Sequence, residues 1–203
     1  MTVRKGQAWG ERGGLPAGGV LVTSDGEARR VVTEALLAGR PVPALGLLGG
    51  DLCRTLGGRG DEGRLRSGDA TVATCDLGVA LLDGRRHWFV AHVVARRGWW
   101  RGRAWVAMNA AYLGTWDLGP RAHPGDGLLD VTDATVPAGE RLKVRARLPR
   151  GDHLPHPSLR TERGRAASVV LERPLPVRLD GDVVATARSI SVRLEPDALT
   201  VVV

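Results

Sequence analysis

The sequence predicts an α/β piece over residues 1–70 followed by an antiparallel β domain over residues 71–203. Three observations carry this reading. A helical apolar repeat lies between two short apolar runs near the start of the chain. From Thr71 onward, valine-rich or alternating runs follow one another without a long helical period. The breaks between those runs are Asp-Gly or proline-containing sequences, the chemistry that tight turns favour.

Taken in order, GVLVTS from Gly19 to Ser24 reads as a strand. Behind it, Ala28, Val31, Val32, Ala35 and Leu36 recur at helical spacing, with Asp25 expected to cap the helix and Gly39 to end it. The run ALGLLGGD then reads as a strand entering the turn Gly49, Gly50, Asp51, where α/β sheets usually put a phosphate-binding loop. VATCDLGVALLDG, RHWFVAHVVA and AWVAMN follow as strands, and no segment repeats another.

The 43% hydrophobic content can supply a core. No apolar run is long enough to span a membrane and the first residues lack a signal pattern, so a soluble cytoplasmic protein is expected. Cys53 and Cys75 make neither a disulfide framework nor a zinc site, and read as small core residues. The net charge of +7 is almost all arginine, with lysine only at Lys5 and Lys143. Because those arginines are spread along the chain, compositional bias explains them better than a nucleic-acid surface does.

Two acidic glycine turns stand out. In GDGLLD, Asp126 and Asp130 flank a turn, so that one carboxylate and nearby carbonyls can converge on a hard cation such as Mg²⁺. In LDGD, Asp180 and Asp182 flank Gly181, where a tight turn brings carboxylates into one space. Each turn taken singly is more often an ordinary hairpin.

Together with Asn109, Tyr112, Gly114, the PRA segment and PLPVRLDGD, these turns resemble the C-terminal domain of the diacylglycerol kinase and sphingosine kinase-like lipid kinases. The resemblance covers about the last hundred residues. It implies a β-sandwich of the NAD kinase/diacylglycerol kinase type, bound ATP and Mg²⁺, and phosphorylation of a diacylglycerol-type hydroxyl. A lipid substrate at a membrane surface would bring the protein to the inner membrane face as a peripheral protein. By the same resemblance, Asp182 stands where the family's DGE motif has its glutamate base, Asp180 supports it, and Asp126, with the carbonyl of Leu128, matches the metal-organising turn.

The family's nucleotide loops, GGDGT and GTGND, fit in two ways. Gly49, Gly50 and Asp51 match the first loop, or else Asp51 to Gly57 match the stretch after the second and Ser24, Asp25 and Gly26 are a worn first loop. Val3 to Gln7 echo the family's opening turn. The nucleotide domain is short in either case, so a catalytically impaired pseudokinase that binds lipid or nucleotide stands as the alternative.

Two further clusters invite a reading. Arg96 to Arg103, with Trp99 and Trp100, reads first as a hinge between domains and second as a membrane-interface segment. His153 and His156 lack a third metal ligand and read as a surface turn near the cleft. No serine or cysteine sits in a nucleophile arrangement. A homodimer through exposed strand edges would cover surface left bare by the shortened segments.

Overall fold

The computed structural model describes residues 9–98, 101–154 and 156–203, so Val3 to Gln7, Trp99, Trp100 and Pro155 lie outside the described residues. The first part carries β1 (Gly10–Arg12), β2 (Val20–Val22), α1 (Asp25–Leu37), β3 (Leu45–Leu47), α2 (Asp51–Thr55) and α3 (Glu62–Arg66). Then come β4 (Thr71–Leu82), β5 (Arg85–Phe89), β6 (His92–Gly98), β7 (Arg101–Met108), β8 (Tyr112–Leu113), β9 (Trp116–Asp117) and β10 (Leu129–Ala134). The chain closes with α4 (Arg141–Arg147), β11 (Leu159–Gly164), β12 (Ala166–Leu179) and β13 (Asp182–Val202). This is the α/β piece and antiparallel β domain that the residue patterns predict.

One sheet runs through both parts. Its path is β1-β4-β13-β12-β6-β7-β10-β11, and the parallel pair β2–β3 joins it through the end of β13, where Val201 faces Leu45. Side chains from the β strands, among them Leu82, Phe89, Val93, Trp105, Val131, Val177 and Ile190, meet in one apolar interior. A second core packs α1 and α2 against β2, β3 and the end of β13 through Val22, Val32, Leu47, Leu52 and Val201. Burying such apolar surface is the main favourable term in holding the two parts together. Cys53 and Cys75 are both free and buried.

Four expectations need correction. The α1 cap is Ser24, whose hydroxyl accepts the Glu27 N–H, while Asp25 is the first helical residue and its carboxylate goes elsewhere. RHWFVAHVVA is two strands, because the peptide N–H groups of Val90, Ala91 and His92 leave the ladder to bond the Asp180 carboxylate. Of the segment read as a hinge, Arg96 to Gly98 and Arg101 to Arg103 belong to the antiparallel neighbours β6 and β7 of one sheet, so these described residues do not lie between domains. His153 sits in a turn, but its side chain is buried against a small cavity lined by Val144 and Leu148, and His156 pairs with Glu140 at 3.3 Å.

Candidate functional site

Three turns meet on one pocket of about 510 Å³ at the seam between the α/β piece and the β domain. They are the β2–α1 turn with Ser24 and Asp25, the β3–α2 turn with Gly50 and Asp51, and the β12–β13 turn with Asp180 and Gly181. The volume falls within the usual range for a small-molecule site.

The first two turns touch because glycine allows it. A Cβ on Gly49 would meet the Thr23 carbonyl, and one on Gly50, at φ 98°, would meet the Asp25 carboxylate. Asp25 can therefore reach across and accept the N–H groups of Asp51 at 2.5 Å and Leu52 at 3.1 Å, the first free amides of α2. Burial pushes the Asp25 carboxyl up, against those two amides.

Asp180 and Gly181, at φ 52° and 90°, make a two-residue turn of the Asp-Gly type. The Asp180 carboxylate is buried and accepts three peptide N–H groups, from Val90, Ala91 and His92, at 2.8 to 3.1 Å. Those bonds place His92 at the start of β6. Burial nonetheless pushes Asp180 up to about 6.

His92 is fully buried and its Nε2 lies 3.0 Å from an Asp51 oxygen. Burial alone would lower its pKa, but Asp51, Asp180 and Asp25 around it raise it, holding the ring toward imidazolium. The same pairing works on Asp51: against burial, the bonds from His92 and from the Gly114 N–H at 2.9 Å keep its carboxyl below the usual range. Gly114 belongs to the β8–β9 hairpin, which is fastened to α2 by Arg54. That guanidinium donates to the Gly114 carbonyl and stacks 3.9 Å over the Tyr112 ring. Asp25, Asp51 and His92 bring ligand atoms within 4.8 Å of one another.

Of the residues singled out from sequence, Asp25, Asp51, Asp180 and Gly50 line this pocket, with Gly26 and Gly49 in the same turns. Asp182 is outside the lining. It packs against Gly26, and Arg29 and Arg30 hold its carboxylate at 2.7 and 3.3 Å. Asp126 and Leu128 also lie outside it. Asp126 accepts the Leu128 N–H and is ion-paired with Arg163, which reaches Asp130 at 3.3 Å as well. Asn109 ties strands together by donating to the carbonyls of Asp76 and Val90.

His92, Trp116, Arg96 and Arg178 also line the pocket; the sequence reading did not single out His92 or Trp116, and placed Arg96 in a hinge and Arg178 only within the PLPVRLDGD segment. For His92 a signal existed, a lone ionisable residue inside an otherwise apolar run.

The profile of the YegS C-terminal NAD kinase beta sandwich-like domain matches residues 80–203. No curated protein sequence matches the chain. Among solved structures, it is similar to a protein of Bacillus anthracis str. Sterne proposed as a diacylglycerol kinase, at TM-score 0.69 and 15% identity, over 91% of this chain and 77% of that one. A second protein from that organism, described as a diacylglycerol kinase, aligns at TM-score 0.57 and 14% identity, over 89% and 82% of the two chains. A third, again proposed as a diacylglycerol kinase, aligns at TM-score 0.61 and 13% identity, over 89% and 83%.

Proposed function

Because the chain belongs to the family of the YegS C-terminal NAD kinase beta sandwich-like domain, we propose that it transfers the γ-phosphoryl group of ATP to a diacylglycerol-type lipid hydroxyl, with Mg²⁺. The observation that carries the reading is the convergence of two acidic glycine turns and the buried Asp180 on one pocket at the seam. The chain order of those turns supports the second alignment, with Ser24 to Gly26 as the worn first loop and Asp51 to Gly57 as the stretch after the second.

Mg²⁺ is held by one or two carboxylates, with substrate phosphates and water completing its shell. Asp25 and Asp51 fit that requirement, because the cation beside them is a histidine bonded to Asp51 alone. Asp126 does not fit it, since Arg163 already occupies the cation's place. Mg²⁺ bound at the seam would neutralise phosphate charge.

The chain's own residues do the positioning. His92 fixes the rotamer of Asp51 through Nε2, and Gly114 fixes its other oxygen. Asp182, next in the chain to the lining residue Gly181, takes the lipid hydroxyl's proton late, once the bond to phosphorus is forming. Arg29 and Arg30 hold its carboxylate in place, and a loose transition state asks little of the proton acceptor. No helix of the described residues is long and apolar enough to cross a membrane, so the lipid would be met at the membrane surface.

One observation favours a second reading, a binding module without turnover. Asp25 already takes the α2 amides that a phosphate would otherwise use. Two measurements decide between them. The kinase reading expects ATP with Mg²⁺ to raise the melting temperature and to label diacylglycerol, with the labelling lost in Asp51→Asn. A melting-temperature rise without labelling leaves a nucleotide-binding module, and neither response removes both the kinase and a nucleotide-binding module.

A further inference from the structure

We propose that α4 and the turn after it, Leu148–Arg150, are the face by which the protein docks on an anionic phospholipid bilayer. The inference deepens the lipid-kinase reading and rests on it only for what the docking serves; the surface itself stands on residues outside the seam pocket.

Basic residues fill 29 of the 203 positions, yet residues 141–150, RLKVRARLPR, hold five of them in ten and no acid. Arg141 donates to the Val136 carbonyl. Lys143, Arg147 and Arg150 are exposed, and none of the described ion pairs includes them. Of the acids nearest in the chain, Glu140 is taken by His156 and Asp152 lies exposed beyond the turn. The segment therefore carries a local excess of positive charge that the fold does not neutralise.

The two sides of the helix differ. Val144 and Leu148 point inward, into a core with Leu118 and Met108. On the outer side Leu142, Ala146 and Pro149 follow one another at i, i+4 and i+7, all exposed, with Leu142 at 77%. By the same periodicity Lys143 and Arg150 flank this stripe on one side and Arg145 on the other. A single exposed leucine is ordinary. A leucine heading an apolar stripe between two rows of bases is the pattern of a helix lying in a lipid interface, its apolar side at the acyl boundary and its bases against phosphate. Nucleic acid would engage the bases and leave the stripe unused, since no ring in it can stack on a nucleotide. The face also adjoins the site it would serve. Leu113 and Trp116, which line the seam pocket, pack on the core that holds Val144 and Leu148, and Gly151 lies against Asp117 of β9.

The test is cosedimentation of the full chain, without ATP, with vesicles of phosphatidylcholine alone or with about one-third phosphatidylglycerol added. Binding to the anionic vesicles is expected to be about a hundredfold tighter, and Lys143→Gln/Arg147→Gln/Arg150→Gln to remove most of that preference. Leu142→Ser should weaken binding about tenfold. Arg59→Gln/Arg85→Gln/Arg86→Gln, which removes three exposed charges elsewhere, should change it by about twofold at most. Because all these side chains are exposed, the melting temperatures of the variants should match that of wild type.

Equal binding to the two kinds of vesicle, or anionic binding that survives both α4 variants, overturns the docking face and leaves the kinase reading untouched. Duplex DNA or single-stranded RNA bound as tightly as the anionic vesicles overturns the bilayer as its occupant. Turnover is read separately, on a soluble short-chain diacylglycerol. If vesicle binding depends on α4 but ATP with Mg²⁺ labels no lipid, the docking face stands and the kinase reading falls.

Discussion

Two aspartate clusters built on glycine turns sit in this molecule, and what separates them is the cation each has been given. Around Asp126 and Asp130, Arg163 reaches both carboxylates and Arg121 lies 3.8 Å from Asp130. Burial pushes both carboxyls up and Arg163 pulls them back. Around Asp25, Asp51 and Asp180, the buried His92 meets Asp51 through Nε2, and the one guanidinium given to them among the described ion pairs, that of Arg29, comes no nearer than 4.0 Å, to Asp180. The first cluster is internally neutralised and makes a joint between β10 and β11. The second faces a pocket with carboxylate charge to spare, which is what a divalent ion or a phosphate-bearing ligand with its metal can use. Counting acidic residues near a turn does not distinguish these cases; finding the guanidinium does.

The sharpest way to break the comparison is to remove one carboxylate from each cluster. Asp51→Asn should cut the lipid phosphorylation rate by about a hundredfold or more and abolish stabilisation by ATP with Mg²⁺, as loss of a charge-organising group does. Asp126→Asn should leave the rate within about twofold of wild type. A hundredfold loss from Asp126→Asn, with Asp51→Asn near wild type, would reverse the assignment of the two sites.

The next effect is on stability. Arg163→Met leaves Asp126 and Asp130 facing each other without their shared cation. It should cost about 2 kcal/mol in urea unfolding, below the value for a fully buried pair because Arg163 is partly exposed. Adding Asp126→Asn should return part of that loss, and the response to ATP with Mg²⁺ should be unchanged throughout. A fall in nucleotide response would mean that the two clusters are coupled.

How much of this was legible follows from the range of the interactions. The repeat at Ala28, Val31, Val32, Ala35 and Leu36 marks α1, and the Asp-Gly pairs mark the turns at Asp83 and Asp180, because these are local choices. Asp25, Asp51 and Asp180 were readable as residues of acidic glycine turns. Their meeting was not, because β2–β3 joins the sheet only through β13, about 150 residues further along the chain. Nor could the sequence tell that Asp25 would cap α2 in place of its own helix. Such long-range pairings also decided that Arg163 would quench Asp126, 37 positions away, and that Arg29 would hold Asp182, 153 away.

Within the seam cluster, pH offers a finer probe. Asp180 is raised to about 6 from 3.8, so its protonated form is favoured by folding. Its contribution is therefore fully present below the unfolded pKa and is lost as pH rises through about 6. Between pH 5 and pH 8 the stability of wild type relative to Asp180→Asn, which cannot ionise, should fall by about 1.4 kcal/mol. A difference that stays flat, or that grows with pH, would mean that the three peptide N–H groups outweigh burial and that Asp180 is ionised throughout.

Asp182 gives the smallest effect and divides the roles within the site. Its carboxylate is half-exposed and held by Arg29 and Arg30, so under the proposed phosphoryl transfer it would enter only as a proton acceptor late in a loose transition state. Asp182→Asn should lower kcat about fivefold with KM for ATP unchanged, well short of the loss from a strong general base. Asp182→Glu, which extends the carboxylate by one methylene beyond its present reach, should recover or exceed the wild-type rate. If Asp182→Asn instead removes all turnover and Asp182→Glu does not restore it, the contact with Arg29 is what closes the seam. The turn would then act by holding α1 against the β domain, with proton transfer left to water.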